Sequence, residues 1–178
     1  MSELRKMSDT SAASGAPAVV IRAATGDDAP AIVAIAREVV ADGTTYLFRP
    51  DTTDDELRAF WLSPQVSTFV ATVGGEVAGC YGVRANYPGR ASHVANAAYI
   101  VAARFAGRGV GHAMGRHSLD EARSRGFRAM QFNFVVSTNA PAIALWKKLG
   151  FEIAGTLRGA FDHPKLGFVD AHVMYRSL

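Results

Sequence analysis

The spacing of apolar and polar positions divides the chain into short elements. Val19-Val20-Ile21 reads as a first strand. Thr25-Gly26-Asp27-Asp28 interrupts it and supplies N-cap side chains, and Pro30 suits a first helical turn. Ile32, Ile35, Ala36 and Val39 then recur at helical spacing, predicting a helix to about Ala41 that Asp42-Gly43 stops. Thr53-Asp54-Asp55-Glu56 resembles a capping box, so a second short helix should run through Phe60 and Trp61. Thr68 to Val73 and Glu76 to Arg84 read as a hairpin about Gly74-Gly75. Asn86-Tyr87-Pro88-Gly89 is a turn, and His93 to Val101 is a further strand.

The glycine cluster Gly107-Arg108-Gly109-Val110-Gly111 opens a long helix to about Arg125, with Gly126 placed to stop it. Val110, Met114, Leu119 and Ala122 lie on its apolar face; His112, Arg116, Asp120 and Arg123 lie opposite. Ala129 to Val136 is strand-like, and Asn139 or Pro141 starts a helix that ends at Leu149 before Gly150. Glu152 to Leu157 and Val169 to Tyr175 are the last two strands. The order βααβββαβαββ predicts an α/β protein, a mixed sheet with helices on both faces. Residues 1–17, rich in Ser, Ala and Gly without periodicity, read as a disordered tail, and residues 18–178 as one domain.

Composition narrows the class. With 178 residues and 49% apolar side chains the chain can bury one sizeable core and is not disordered throughout. No run approaches the ~20 apolar residues of a membrane helix, and the start has no secretory apolar segment, so a cytoplasmic location with no membrane partner is expected. The single Cys80 excludes an internal disulfide framework and a Cys-rich zinc site. His112 and His117 are five apart and do not share a helical face, so no metal is expected. The net charge of +3 is mild. Basic residues gather only at Arg104, Arg108 and Arg116 around the glycine cluster and at Arg123, Arg125 and Arg128 after it. That is no nucleic-acid stripe, but it suits a small polyanion such as a phosphorylated cofactor.

The stretch from Tyr99 to His112 runs a strand into a glycine turn and then a helix. Such a turn exposes unpaired main-chain N–H groups at the positive end of a helix dipole, and glycine lets a phosphate approach them. The Walker pattern is excluded because His112 follows Gly111, and the dinucleotide fingerprint because no glycine stands at 112. A tight turn with a close helix contact is the alternative reading.

A second block, Asn139-Ala-Pro-Ala-Ile-Ala-Leu-Trp-Lys-Lys-Leu-Gly-Phe151, follows at a set distance. Together the two blocks resemble the GCN5-related N-acetyltransferase (GNAT) superfamily, over residues 18–178. The resemblance implies the acyl-CoA N-acyltransferase fold: a central, mostly antiparallel sheet whose strands part around acetyl-CoA, a cosubstrate. It implies that the main chain of Ile100 and Val101 pairs with the pantetheine arm. It implies further that the amides of Gly107, Arg108, Gly109, Val110, Gly111 and His112 hold the diphosphate, and that Asn139 bonds the cofactor. Two positions depart from the pattern. Ala106 stands where the family has Gln or Arg, with Arg104 and Arg108 nearby. Trp146 stands where the family has a tyrosine that protonates the leaving thiolate, a step an indole cannot perform.

Asn96 and Asn133 sit inside predicted strands, where Asn is depleted and a buried amide needs partners. A structural hydrogen bond would explain each equally well. With Asn139 and the ending Gly-Phe-Val-Asp-Ala-His-Val-Met-Tyr, they resemble azetidine-2-carboxylate N-acetyltransferases and their bacterial relatives. That resemblance implies catalytic and substrate roles for Asn96 and Asn133, and a small-molecule amine acceptor such as an amino or imino acid. Asp42 to Phe48 should form part of the pocket wall. Asn96 and Asn133 would orient the amine while water takes its proton, because the strand carries no carboxylate. A main-chain N–H near Ile100 or Val101 would stabilise the oxyanion. Tyr99 and Tyr175 are weaker candidates to protonate the thiol, and Cys80 a weaker one still for an acetyl-cysteine route. A peptide or protein N-acetyltransferase and a non-catalytic acyl-CoA-binding module are the alternatives. A homodimer is possible on the family's pattern.

Overall fold

The computed structural model describes residues 18–178; the tail predicted over residues 1–17 lies outside them. The elements are β1 (Val19–Ala23), α1 (Ala29–Asp42), α2 (Asp54–Leu62), β2 (Ser67–Val73), β3 (Glu76–Ala85), β4 (Val94–Val101), α3 (Val110–Ser124), β5 (Ala129–Val136), α4 (Ala140–Lys148), β6 (Glu152–His163) and β7 (Gly167–Ser177). This is the order expected from the pattern.

Local signals act where they stand. Thr25 caps a 3-10 turn that leads into α1, and the Asp28 carboxylate takes its N–H at 2.7 Å. Asp28 is buried and accepts two bonds from Arg22, at 2.7 and 2.8 Å, which hold its carboxyl well below the usual carboxylate range. Gly43 takes a left-handed conformation and ends α1. The capping box of α2 closes through Thr53 and Glu56, the Thr53 N–H donating to the carboxylate at 2.7 Å.

All strands join one sheet in the order β1-β2-β3-β4-β5-β7-β6. Every neighbouring pair is antiparallel except β4 with β5. Two glycines of β3 show the helices on opposite faces. A Cβ on Gly79 would point at Met114 of α3, and one on Gly82 would lie 3.9 Å from Trp61 of α2. Side chains three residues apart on a strand face opposite ways. Trp61, Tyr81, Met114 and Met130 are fully buried between the layers. No helix among the described residues is long and apolar enough to cross a membrane.

One expectation needs correction. β6 and β7 run well beyond the strands predicted at Glu152 to Leu157 and Val169 to Tyr175. β6 is the sheet's edge and is exposed along most of its length, so no buried face imposes an alternating pattern. Register shifts between Ile153 and Gly155 and between Leu157 and Phe161 disturb the period further.

Candidate active site

β4 pairs with β5 only at Val94↔Ala129 and Ala95↔Met130. Beyond these the two strands part. The main chain of even-numbered β4 residues faces β3: Val94 accepts from the Asn86 N–H at 2.8 Å, and the N–H of Ala102 donates to Ala78 at 2.9 Å. Odd-numbered residues therefore turn theirs to the opening. Of the two residues expected to meet the pantetheine arm, Val101 faces the cleft. The main-chain groups of Ile100 face β3, in register with Cys80, although Ile100 still contributes to the wall of the opening.

Side chains replace the missing ladder. The Asn96 amide donates at 3.0 Å to the carbonyl of Gln131, the first β5 residue past the paired stretch. The Tyr46 hydroxyl accepts from the Tyr99 N–H at 2.9 Å and donates to the Tyr99 carbonyl at 2.8 Å. Burial pushes the Tyr46 phenol far above its ordinary range, so it stays protonated in that bond. Sequence placed Tyr46 only within a wall segment. The bond spans 53 residues and leaves no local signal.

The opening holds a cavity of about 440 Å³. Asn96, Asn133, Asn139, Val101, Tyr46 and Trp146 all contribute to its wall. Asn133 is engaged by side chains: its amide donates to Asn86 at 2.7 Å, and its oxygen accepts from Asn86 at 3.1 Å and Gln131 at 2.8 Å. Asn86 was legible only as a turn residue. The Asn96 oxygen has no partner among the described residues, since its nitrogen makes the bond to Gln131. Asn139 caps α4, its oxygen accepting from the Ala142 N–H at 3.3 Å, which leaves its amide nitrogen for a ligand.

Beyond Val101 the chain makes the glycine turn. Gly107 and Gly109 have φ of 75° and 78°, left-handed values that favour glycine, and a Cβ at either would meet only open space. Gly109 caps α3, whose first intrahelical donor is Ala113, bonded to the Gly109 carbonyl at 2.9 Å. The N–H groups of Gly109, Val110, Gly111 and His112 are thus the free donors of a helix start. An open, unobstructed donor cluster fits a diphosphate. Gly111 has a second use: its Cβ position lies 3.4 Å from Leu145, so it also lets α4 approach α3. Arg104 is taken by Glu76 and Glu38, whereas Arg108 makes no ion pair among the described residues and lies over Phe105 at 5.4 Å. Of the two arginines near Ala106, Arg108 is the one left for a phosphate.

Of the other candidates, Cys80 and Tyr175 fall away from the cavity, whereas Tyr99 and Trp146 line it. Cys80 is fully buried and outside the lining, and desolvation pushes its thiol up. The Tyr99 hydroxyl points to α3, bonded to Ser118 at 2.7 Å, and Tyr175 lies outside the lining. Trp146 packs between Tyr99 and Phe132, each at 4.7 Å between ring centres. Among the described residues no group of three or more His, Cys, Asp or Glu side chains is placed to hold a metal.

A mixed sheet that opens between two parallel neighbours, with a glycine-capped helix at the end of one of them, defines an acyl-CoA-dependent N-acyltransferase fold. The acetyltransferase (GNAT) family profile matches residues 35–151, and the chain belongs to that family. It is 44% identical to a GCN5-related N-acetyltransferase of known structure from Kribbella flavida, with a TM-score of 0.87 over 90% of this chain and 98% of that one. It is 34% identical over 114 residues to the L-amino acid N-acetyltransferase AaaT of Escherichia coli K12, covering 64% of this chain and 69% of that one. It is 32% identical to the N-acetyltransferase aca1 of Schizosaccharomyces pombe over 62% of this chain, a match that spans only 54% of that protein.

Proposed function

We propose that the chain transfers the acetyl group of acetyl-CoA to the amine of a small molecule, an amino or imino acid. One observation carries the reading: an unpaired asparagine oxygen and a free main-chain N–H share one cavity beside an open glycine turn. The likeness to an L-amino acid N-acetyltransferase supports the acceptor class.

Acetyl-CoA supplies the acetyl group as an activated thioester. The amides of Gly107 and of Gly109 to His112 grip its diphosphate, and the Asn139 nitrogen adds a donor. The Arg108 N–H is already bonded to the Phe105 carbonyl at 3.3 Å, so Arg108 contributes its side chain instead. The Val101 N–H lies where charge develops on a carbonyl oxygen; a single donor of this kind is worth about 3 kcal/mol. The Asn96 oxygen accepts an N–H from the acceptor amine and aims its lone pair. Asn133, held by Asn86 and Gln131, keeps one N–H to offer the substrate. Among the described residues no carboxylate lines the cavity, so the amine proton leaves to water.

The test is thiol release from acetyl-CoA with a panel of amines that includes azetidine-2-carboxylate, proline analogues and short peptides. Turnover of small amino or imino acids is expected, and Asn96→Ala should lower kcat by about 100-fold with a small change in Tm. Turnover of peptides alone, or coenzyme binding with no turnover of any amine, contradicts the proposal.

A further inference from the structure

We infer that Arg84 anchors a carboxylate on the acceptor, so that the substrate is an α-amino or α-imino acid whose acid group is free. The inference rests on the acetyl-transfer reading and deepens it.

Among the described residues Arg84 is the only charged side chain in the cavity wall. Among the described residues it forms no ion pair and no hydrogen bond. Its guanidinium lies over the Phe60 ring, 5.9 Å from the ring centre. Six other arginines are paired with carboxylates, Arg22, Arg37, Arg49, Arg104, Arg123 and Arg125. A positive charge in a wall rich in Phe and Val, with no acidic side chain among the described lining residues, is complementary to an anion. A guanidinium fork fits a carboxylate in particular.

Position decides which anion. Arg84 stands directly opposite Asn96 in the β3–β4 register. Opposed residues share a face, with Cβ atoms about 5 Å apart. A cationic fork and an unpaired amide oxygen therefore stand side by side. They match a carboxylate and an amine carried by one carbon atom. The rings of Phe48, Phe60 and Phe134 leave the remaining wall apolar, which suits an apolar substituent on that carbon. A peptide N-terminus puts an amide where the carboxylate would sit, and a polyamine brings a second cation to Arg84. Neither has this fit.

The test compares the best acid acceptor from the amine panel with its carboxamide, a near-isosteric neutral partner. The natural protein should prefer the acid by roughly 10- to 100-fold in kcat/KM, chiefly through KM. Arg84→Met should bring that ratio close to one, and Arg84→Lys should keep part of it. Arg84 is exposed, and a thermal melt of each variant checks its folding. Equal use of acid and amide by the natural protein overturns the inference and leaves acetyl transfer standing. So does an unchanged ratio in Arg84→Met. Failure to acetylate any small amine removes the acetyl-transfer reading and this inference with it.

Discussion

The two edges of β4 are built differently. Toward β3 the strand is paired in unbroken register from Ala95 to Val101. Toward β5 it is paired at two residues, and then Asn96 and Tyr46 take over the main-chain partners. The closed edge shows how the sheet is held, and the open edge how it can part without stranding buried polar groups. An unmet buried donor or acceptor costs roughly 1–3 kcal/mol, so a bare split would be expensive. The Tyr46 hydroxyl answers both groups of Tyr99 with one side chain. Val101, one step further at the cleft, keeps its N–H for a ligand.

The largest expected effect comes from breaking the closed edge. A Cβ on Gly79 would lie 2.6 Å from the Ile100 carbonyl oxygen, a main-chain atom that cannot swing aside. Gly79→Val should cost about 3 kcal/mol, read by urea denaturation. The open edge is sharpened by Tyr46→Phe, which keeps the ring and removes the hydroxyl. It should cost about 2 kcal/mol and speed hydrogen exchange at the Tyr99 amide. An unchanged exchange rate would mean that this hydroxyl does not hold the split.

A smaller effect lies away from both edges, at Asp28. Its pKa is depressed by Arg22 and by the Thr25 donors. Its contribution is complete above the unfolded value near 3.9 and is lost as pH falls through the lower folded value. Stability should therefore fall as pH drops below about 4, and Asp28→Asn should flatten that acid limb of a pH–stability curve.

Elements with a local punctuation mark were legible in sequence. The Thr53–Glu56 box begins α2, Gly126 follows α3, and the apolar run Ala129–Val136 is β5 to the residue. The succession of elements along the chain followed from such marks, whereas the order of strands in the sheet did not. What escaped was whatever depends on contacts between distant segments. β6 keeps its length through pairing with β7 and not through burial of its own side chains. Asn86 meets Asn133 across 47 residues, and Tyr46 meets Tyr99 across 53. Asn96 and Asn133 could be named because Asn is out of place in a strand, and Asn139 because its block resembles the family's motif. Arg84 could not, because a single arginine in a strand is ordinary until its partners are known. Gly111 looked like part of a phosphate loop, and only the packing of α4 shows its second use.

The most direct measurement is an amide NMR titration of the protein with acetyl-CoA. The largest shifts should fall on Gly107 to His112 and on Val101, while Ile100, turned to β3, moves little. A titration without shifts at the glycine turn, or one whose shifts gather elsewhere, would contradict the claim that these main-chain donors seat the coenzyme at the opening.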